Sequence, residues 1–352
     1  DHTLQIDDGS RVVFRSAVIA TGSSPAVPVA LTSLGDRLVV NDDVFEWETL
    51  PRRVAVLGPG VIGLELGQAL ARLGVEVLMF GRGGAVGSFT DPQLRDYAIR
   101  TFRNEFHLDP DAGVESVMRT ANGAQLRYRA ADGDRIDTTV DFVIAATGRA
   151  PNVRGLGLGN TSLACDEFGV PRFDRTTLQC GTSSIFIAGD VNNDAPLLHE
   201  AADEGRIAGE NAACFPAVKS GVRRSPLAIV FTDPQIALVG MRFKDMRPNG
   251  FVTGSVSFED QGRARTMLRN KGLLHVYADS AGGRFLGAEM IGPDAEHIGH
   301  LLAWALQCRL TIGEMLEMPF YHPVVEEGLR TALRDAQAQL QQPATAKIRA
   351  VG

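Results

Sequence analysis

Cysteine is scarce in this sequence, and what there is stands apart. Cys165, Cys180, Cys214 and Cys308 are the four, and no two have C-x-x-C or similar spacing. Thiols scattered in this way exclude a disulfide framework and a structural zinc pattern, and they suit a reducing compartment. Long apolar runs are missing too, since none approaches the roughly 18 residues that a membrane span requires. The opening DHTLQIDDGS has neither the basic start nor the apolar core of a signal peptide. Basic charge is not in excess: the net charge is −7 and no basic stripe is visible, which argues against nucleic acid as the main partner. These absences predict a soluble, cytoplasmic protein with neither a nucleic-acid nor a membrane partner. The 44% of hydrophobic and 22% of charged residues are those of a globular protein, and 352 residues allow two or three domains with sizeable cores.

The chain is organised around residues 53–82, RVAVLGPGVIGLELGQALARLGVEVLMFGR. Val54 to Leu57 form a short apolar run suited to a strand buried on both faces. Gly58, Gly60 and Gly63 complete G-x-G-x-x-G around Val61 and Ile62, with Glu65 just beyond. Leu66, Ala69, Leu70 and Leu73 have helical spacing, Gly74 is a stop, and Val75 to Phe80 reads as a second strand. In such a βαβ unit Gly58 permits the tight turn, Gly60 lets the backbone approach a pyrophosphate, and Gly63 lets helix pack on strand. The helix N-terminus offers N–H groups and a positive dipole end to the phosphates. This predicts a dinucleotide site. No carboxylate ends the second strand to hold the ribose hydroxyls of NAD, because Phe80 is followed by Gly81 and Arg82 and Glu76 comes too early. Arg82 suits the 2′-phosphate of NADP, although a solvated loop arginine fits the charge equally, so NADP or NAD stays open with NADP(H) favoured.

Before this unit, Leu4 to Ile6, a turn at Asp7 to Ser10, and Val12 to Ala20 predict β structure that ends at Thr21 and Gly22. After it come a helix over Asp91 to Glu105 and short segments at Val114 to Met118, Gln125 to Tyr128 and Thr138 to Ala145, read as a small antiparallel sheet. A buried-type strand at Asp141 to Ala146 runs into Thr147, Gly148 and Arg149. The Ala-Thr-Gly at 20–22 is repeated at 146–148, and the two turns bracket the dinucleotide unit as if one domain were inserted into another.

Ile185 to Ala188 predicts a strand with Gly189 and Asp190 at its C-terminal edge, where ligands of open α/β sheets bind. Asp190 there can accept hydrogen bonds from sugar or ribitol hydroxyls, or merely cap a turn. The Ala- and Gly-rich helix from Leu198 to Cys214 presents free N–H donors in its first turn, near His199 and Glu200. Alternating segments from Pro226 to Ile291 and helices at Asp294 to Cys308 and to about Gln341 complete the pattern, with a frayed tail. Near the end, Pro323 follows His322, and Glu327 lies about one helical turn on, where its carboxylate could orient the ring and leave the other nitrogen as base or acid. A helix-capping histidine with dipole-favoured glutamates fits the spacing equally.

The segments 20–22, 58–65, 146–152, 188–190, 198–201 and 322–327, taken in order, resemble the pyridine nucleotide–disulfide oxidoreductases, flavoenzymes that include dihydrolipoyl dehydrogenase, glutathione reductase and mercuric reductase. The resemblance implies an α/β fold: a Rossmann-like βαβ nucleotide-binding domain at 31–146, inserted into a partial FAD-binding domain at 1–30 and 147–222. A C-terminal α+β dimerisation domain at 223–345 and a tail at 346–352 follow. It implies FAD and NAD(P) as cofactors, a homodimer through the C-terminal domain, and a dithiol or disulfide substrate, with a lipoyl group as one candidate. Asp190 would bind the flavin ribitol, the helix near His199 would face the pyrimidine edge, and Glu65 would lie beside the nicotinamide. His322, held by Glu327, would be the acid–base residue, offered across the dimer to the other subunit's disulfide. The run from Phe320 to Leu333 looks most like bacterial dihydrolipoyl dehydrogenase-like proteins.

The departures carry implications of their own. Family members begin with a flavin-binding G-x-G-x-x-G and a C-x-x-x-x-C redox pair, and neither is in this sequence. The expectation is a truncated form with an incomplete FAD site, inactive by itself yet able to bind a nicotinamide nucleotide; a natural short form is the alternative. Mercuric reductases carry a tyrosine in place of the histidine and a C-terminal cysteine pair, neither of which is found here. Glutathione reductase fits Arg82, but the second basic residue expected some six positions later is Ser88. A non-catalytic NAD(P)-binding dimerisation module and a flavin-dependent transhydrogenase are the other readings carried forward.

Overall fold

The computed structural model describes residues 2–130 and 133–342. The chain divides into two compact units, Asp1–Ala26 with Gly148–Arg224, and Val27–Thr147 with Ser225–Gly352.

The first unit is made of small paired strands and one long helix. Thr3–Gln5 pairs antiparallel with Arg11–Val13, Ala17–Ile19 pairs parallel with Ile185–Ile187, and Ser23–Pro25 pairs antiparallel with Arg149–Pro151. The apolar run at 12–20 is therefore two strands rather than one. The chain leaves its hairpin after Phe14 donates to the His2 carbonyl, and Ala17 then donates to the Ser184 carbonyl, so the ladder partner changes in mid-run. Helix Leu198–Cys214 packs through Ile207 and Ala208 on Phe186 and Ala188. The segments that follow the two Ala-Thr-Gly sequences, 126 residues apart, are thus paired in a short ladder.

The second unit holds a parallel five-stranded sheet in the order Leu38–Val39, Phe142–Ala145, Arg53–Leu57, Glu76–Phe80, His107–Asp109. Val54, Ala55 and Val56 are fully buried, as a strand covered on both faces requires. The chain places Glu76–Phe80 and His107–Asp109 on one side of Arg53–Leu57 and then returns to the other side with Phe142–Ala145, which makes the end of Arg53–Leu57 a topological switch point. Helix Val61–Arg72 follows that strand, and Gly74, at φ 91°, ends it. Helix Pro92–Arg103 starts with Asp91 as N-cap, whose carboxylate accepts from Gln93 and Leu94 N–H, and with proline at the first helical position.

Gly113–Thr120, Gly123–Arg129 and Arg135–Val140 form the separate antiparallel sheet. The segment 138–145 contributes to two sheets because Asp141 interrupts it: its Oδ2 accepts the backbone N–H of Arg52 at 2.8 Å and of Arg53 at 2.9 Å. Residues before it pair antiparallel and residues after it join the parallel sheet.

A second five-stranded sheet, antiparallel, runs in the order Leu227–Val230, Gln235–Gly240, Phe285–Gly292, Leu273–Asp279, Phe251–Ser257. Helices Ala295–Gln307 and Glu327–Leu340 cover it around Leu274, Val276, Phe285, Ile298, Leu329 and Leu333. Polar contacts join this sheet to the 92–103 helix. Asp91 also accepts from His275 Nδ1 at 2.7 Å and from Tyr277 Oη at 3.0 Å, all three being buried. Fully buried Glu289 accepts from the Thr90 amide and hydroxyl and from the Phe243 amide. Among the described residues no helix is long and apolar enough to cross a membrane.

Candidate functional site

At the switch point, Gly58 sits at φ 110° and donates its N–H to the Phe80 carbonyl at 2.8 Å. A Cβ on Gly58 would lie 2.3 Å from the Ala146 carbonyl oxygen, and one on Gly63 would lie 1.9 Å from the Gly58 carbonyl oxygen. These two glycines are demanded by packing. Gly60 differs: a Cβ there meets nothing within 4 Å, so its backbone faces open space. Gly60 is also the N-cap of helix Val61–Arg72, and no side chain caps that end. The first amides, at Val61, Ile62 and Gly63, therefore stay available to an anion beside an approachable backbone, which fits a dinucleotide pyrophosphate.

Around this turn, Arg82 is exposed and its side chain has no hydrogen-bond or ion-pair partner among the described residues, while Gly81 and Gly83 on either side are pinned by the Asp109 carbonyl and the Asp111 carboxylate. Glu76 lies at the opposite end of its strand, paired with Arg53 Nη2 at 2.7 Å. Glu65 Oε1 accepts the Phe231 N–H at 2.8 Å, tying helix Val61–Arg72 to the loop after Leu227–Val230.

In the first unit Thr21 to Ser23 interlock with residues 149–152, which follow the second Ala-Thr-Gly. Thr21 Oγ1 donates to the Asn152 carbonyl at 2.7 Å, the Asn152 amide donates to the Gly22 carbonyl at 2.9 Å, and Arg149 Nε donates to Ser23 Oγ at 2.7 Å. Ser23 Oγ in turn donates to Asp190 Oδ2 at 2.8 Å. Gly22, Gly148 and Gly189 all have positive φ, and a Cβ on Gly22 or Gly148 meets nothing within 4 Å. Asp190 begins a short 3-10 turn to Asn192 but does not cap it, and its Oδ1 has no hydrogen-bond partner among the described residues. Helix Leu198–Cys214 begins without a capping side chain; Leu198 is 88% exposed, His199 is exposed, and Ala201 donates back to the Leu197 carbonyl. An uncapped helix end and a half-buried carboxylate with a free oxygen suit a polar ring edge and a polyol.

The third cluster is local. His322 Nδ1 lies 2.9 Å and 3.0 Å from the two oxygens of Glu327, which also accepts the Val324 N–H at 3.2 Å. The His322 side chain is 79% exposed, so Nε2 faces outward. The hydrogen bond from His322, then that from Val324, holds the Glu327 carboxyl below the usual carboxylate range. Helix Glu327–Leu340 takes Glu326 as N-cap, so His322 is not the cap.

Two site-supporting residues escape a reading by motif. Glu204, fully buried on the helix Leu198–Cys214, and Arg223 lie behind the Asp190 turn. The available signal was Glu200 with Glu204, two carboxylates four residues apart on one helix face, which repel unless a cation joins them. Arg223 is that cation, at 3.0 Å from Glu200 and 2.8 Å from Glu204.

The family model described as pyridine nucleotide-disulphide oxidoreductase matches residues 1–205 of the chain's 352. The chain belongs to this family. The dimerisation-domain model of the same oxidoreductases matches residues 227–333. A mercuric reductase of Acidithiobacillus ferrooxidans is 31% identical over 335 residues, 93% of this chain and 59% of that protein. A dihydrolipoyl dehydrogenase of Haloferax volcanii is 31% identical over 347 residues, 94% of this chain and 70% of that protein. The chain thus spans between 59% and 70% of the length of these curated relatives. The flavoprotein disulfide reductase RclA of Escherichia coli superposes with a TM-score of 0.81 over 96% of this chain and 76% of its own, at 22% identity, and shows the fold. As a class I oxidoreductase of this family the chain has a mixed α/β fold with FAD-binding and dimerisation domains. The family is FAD-dependent and uses NAD(P).

Proposed function

We propose that the protein is an FAD-dependent, NAD(P)-linked disulfide/dithiol oxidoreductase of the dihydrolipoyl dehydrogenase type. It would act on a dithiol such as a lipoyl group and work as a homodimer. In this reading residues 1–30 and 147–222 belong to the FAD-binding domain, 31–146 to the NAD(P)-binding domain and 223–345 to the dimerisation domain. The observation that carries it is the exposed His322 ring held through Nδ1 by both carboxylate oxygens of Glu327. FAD and NAD(P), when bound, supply the hydride and electron transfer.

The protein's own groups bind, orient and move protons. Gly58, Gly60, Val61, Ile62 and Gly63 would hold the nicotinamide nucleotide's pyrophosphate, with Arg82 at a 2′-phosphate and Glu65 beside the same turn. Thr21, Gly22, Gly148, Arg149, Gly189 and Asp190 would form the flavin's polyol side. The N–H groups at Leu198 and His199 would favour negative charge at its ring edge, with Ala201, whose own N–H is taken by the Leu197 carbonyl, in the turn behind them. At His322, Nε2 accepts the proton of a thiol S–H and leaves a thiolate. Glu327, being ionised, fixes the tautomer and stabilises the imidazolium so formed. Burial, with the nearby Cys165 adding to it, pushes the Cys180 thiol up to about 12, which disfavours its thiolate.

In the full-length enzyme, His322→Gln is expected to lower dihydrolipoamide turnover by roughly 10²–10⁴-fold, the usual range for a general base, with flavin content unchanged. Stopped-flow and steady-state assays read this directly. Unchanged turnover, or preferential reduction of mercuric ion, would remove the dithiol assignment.

A further inference from the structure

Asp190 sits in a turn whose two ends are gripped by one buried carboxylate. Glu204 Oε2 accepts the Gly189 N–H at 2.7 Å and the Asn192 Nδ2 at 2.6 Å, so its donors bracket Asp190 in sequence. Gly189 is at φ 77°, and a Cβ there would come 3.2 Å from Ala201 Cβ, so the turn and the helix are already in contact. The other carboxylate oxygen lies 2.8 Å from Arg223 Nη2, an ion-pair contact outside hydrogen-bond angles. The same guanidinium nitrogen reaches Glu200 at 3.0 Å and Asp194 at 3.7 Å, and Asp194 is hydrogen-bonded back to Asn192 Oδ1 at 2.9 Å.

A fully buried carboxylate is costly unless its charge is matched, and burial here pushes the Glu204 carboxyl up despite the donors at Gly189 and Asn192 and the charge of Arg223. Packing alone would be served as well by an apolar side chain. What a carboxylate adds is two strong acceptor directions on one rigid group, placed five residues, or about 7.5 Å along the axis, from His199 near the uncapped start of the same helix. Glu204 thereby sets the position of the Asp190 turn relative to that helix end.

We propose that Glu204, backed by Arg223, is a positioning residue that fixes the Asp190 turn against the N-terminus of helix Leu198–Cys214 so that both meet one bound flavin. This rests on the reading of the protein as a flavoenzyme. It assigns Glu204 no contact with the cofactor. Replacement by alanine leaves the Gly189 N–H and the Asn192 amide without acceptors, and glutamine presents a donor to Arg223.

The test uses the full-length protein, reconstituted with FAD. The dissociation constant is measured by fluorescence, and exchange of the Gly189 amide is followed without flavin. Asn211→Ala is the matched control: Asn211 is buried on the same helix but bonds Thr177 and Lys219 instead. The expectation is that Glu204→Ala weakens FAD tenfold or more and speeds Gly189 exchange, that Glu204→Gln does so to a smaller degree, and that Asn211→Ala lowers the melting temperature while sparing both. Should Glu204→Ala fail to fold, Glu204→Gln carries the comparison. Equal weakening by Asn211→Ala at equal loss of melting temperature would overturn the positioning role, as would an unchanged FAD constant in the Glu204 variants. A wild-type protein that takes up no FAD would instead overturn the flavoenzyme reading, and that result needs no variant.

Discussion

At the scale of single residues, chemistry follows from which side chains are left without partners. Most arginines are engaged: Arg53 with Glu76, Arg72 with Glu105 and Asp233, Arg149 with Ser23. Arg82, exposed beside the Gly58–Gly63 turn, has none among the described residues. A guanidinium in that position gains most from a dianionic 2′-phosphate. Arg82→Ala is expected to weaken NADPH roughly tenfold, near 1.4 kcal/mol, and NADH little, as read by nucleotide titration. An equal effect on both would return Arg82 to the solvated loop. The His322–Glu327 contact was legible because five residues separate the partners, a reach the first turn of a helix covers. Glu204 was not, since the two groups its Oε2 accepts from are 15 and 12 residues away, in a turn with no helical register to it.

At the scale of elements, the three motif glycines separate into two kinds. Gly60, at φ −79° with open space at its Cβ, should accept alanine with stability within about 0.5 kcal/mol while the methyl obstructs the nucleotide's approach. Gly63→Ala must push the helix off its strand and is expected to cost about 1–3 kcal/mol. Thermal melting with and without nucleotide tells them apart: Gly60→Ala loses ligand stabilisation only, and Gly63→Ala loses intrinsic stability as well.

The start of the 92–103 helix supplies a pH test. Burial pushes the Asp91 carboxyl up, but the hydrogen bond and charge of His275, with the Gln93 amide and Tyr277, outweigh it and hold the carboxyl low. A carboxyl lowered on folding contributes stability above its unfolded value of about 3.9 and loses it as pH falls through the lower folded value. The stability gap between wild type and Asp91→Asn in urea unfolding should therefore be full at pH 6 and narrow progressively below pH 4. A gap independent of pH would show that the carboxylate's charge is immaterial.

At the scale of the whole molecule, the helix Ala295–Gln307 turns Ile298 and Leu302 into the core and leaves Leu301 43% and Trp304 67% exposed. Together with Met318, 49% exposed, these are large apolar groups within the region that the dimerisation-domain model matches. Buried aromatic anchors commonly carry about 2 kcal/mol or more of an interface. Trp304→Glu is expected to raise the dimer dissociation constant by roughly 30-fold or more in sedimentation equilibrium. A variant that sediments as wild type would place the interface elsewhere.

The sequence by itself determined whatever depends on short spacing. The nucleotide turn needs glycines at fixed offsets within one βαβ unit, the Asp91–Pro92 start needs adjacent residues, and the histidine–glutamate pair needs one helical turn. Only the tertiary structure decided what depends on chain segments meeting from afar. The run at 12–20 divides because its hydrogen-bond partners change from His2 to Ser184, and the run at 138–145 divides because Asp141 catches the amides of Arg52 and Arg53. Glu289 meets Thr90 across 199 residues and His275 meets Asp91 across 184. Burial makes such polar pairs obligatory, since an unpaired buried group is costly, but no local pattern says which partner will arrive.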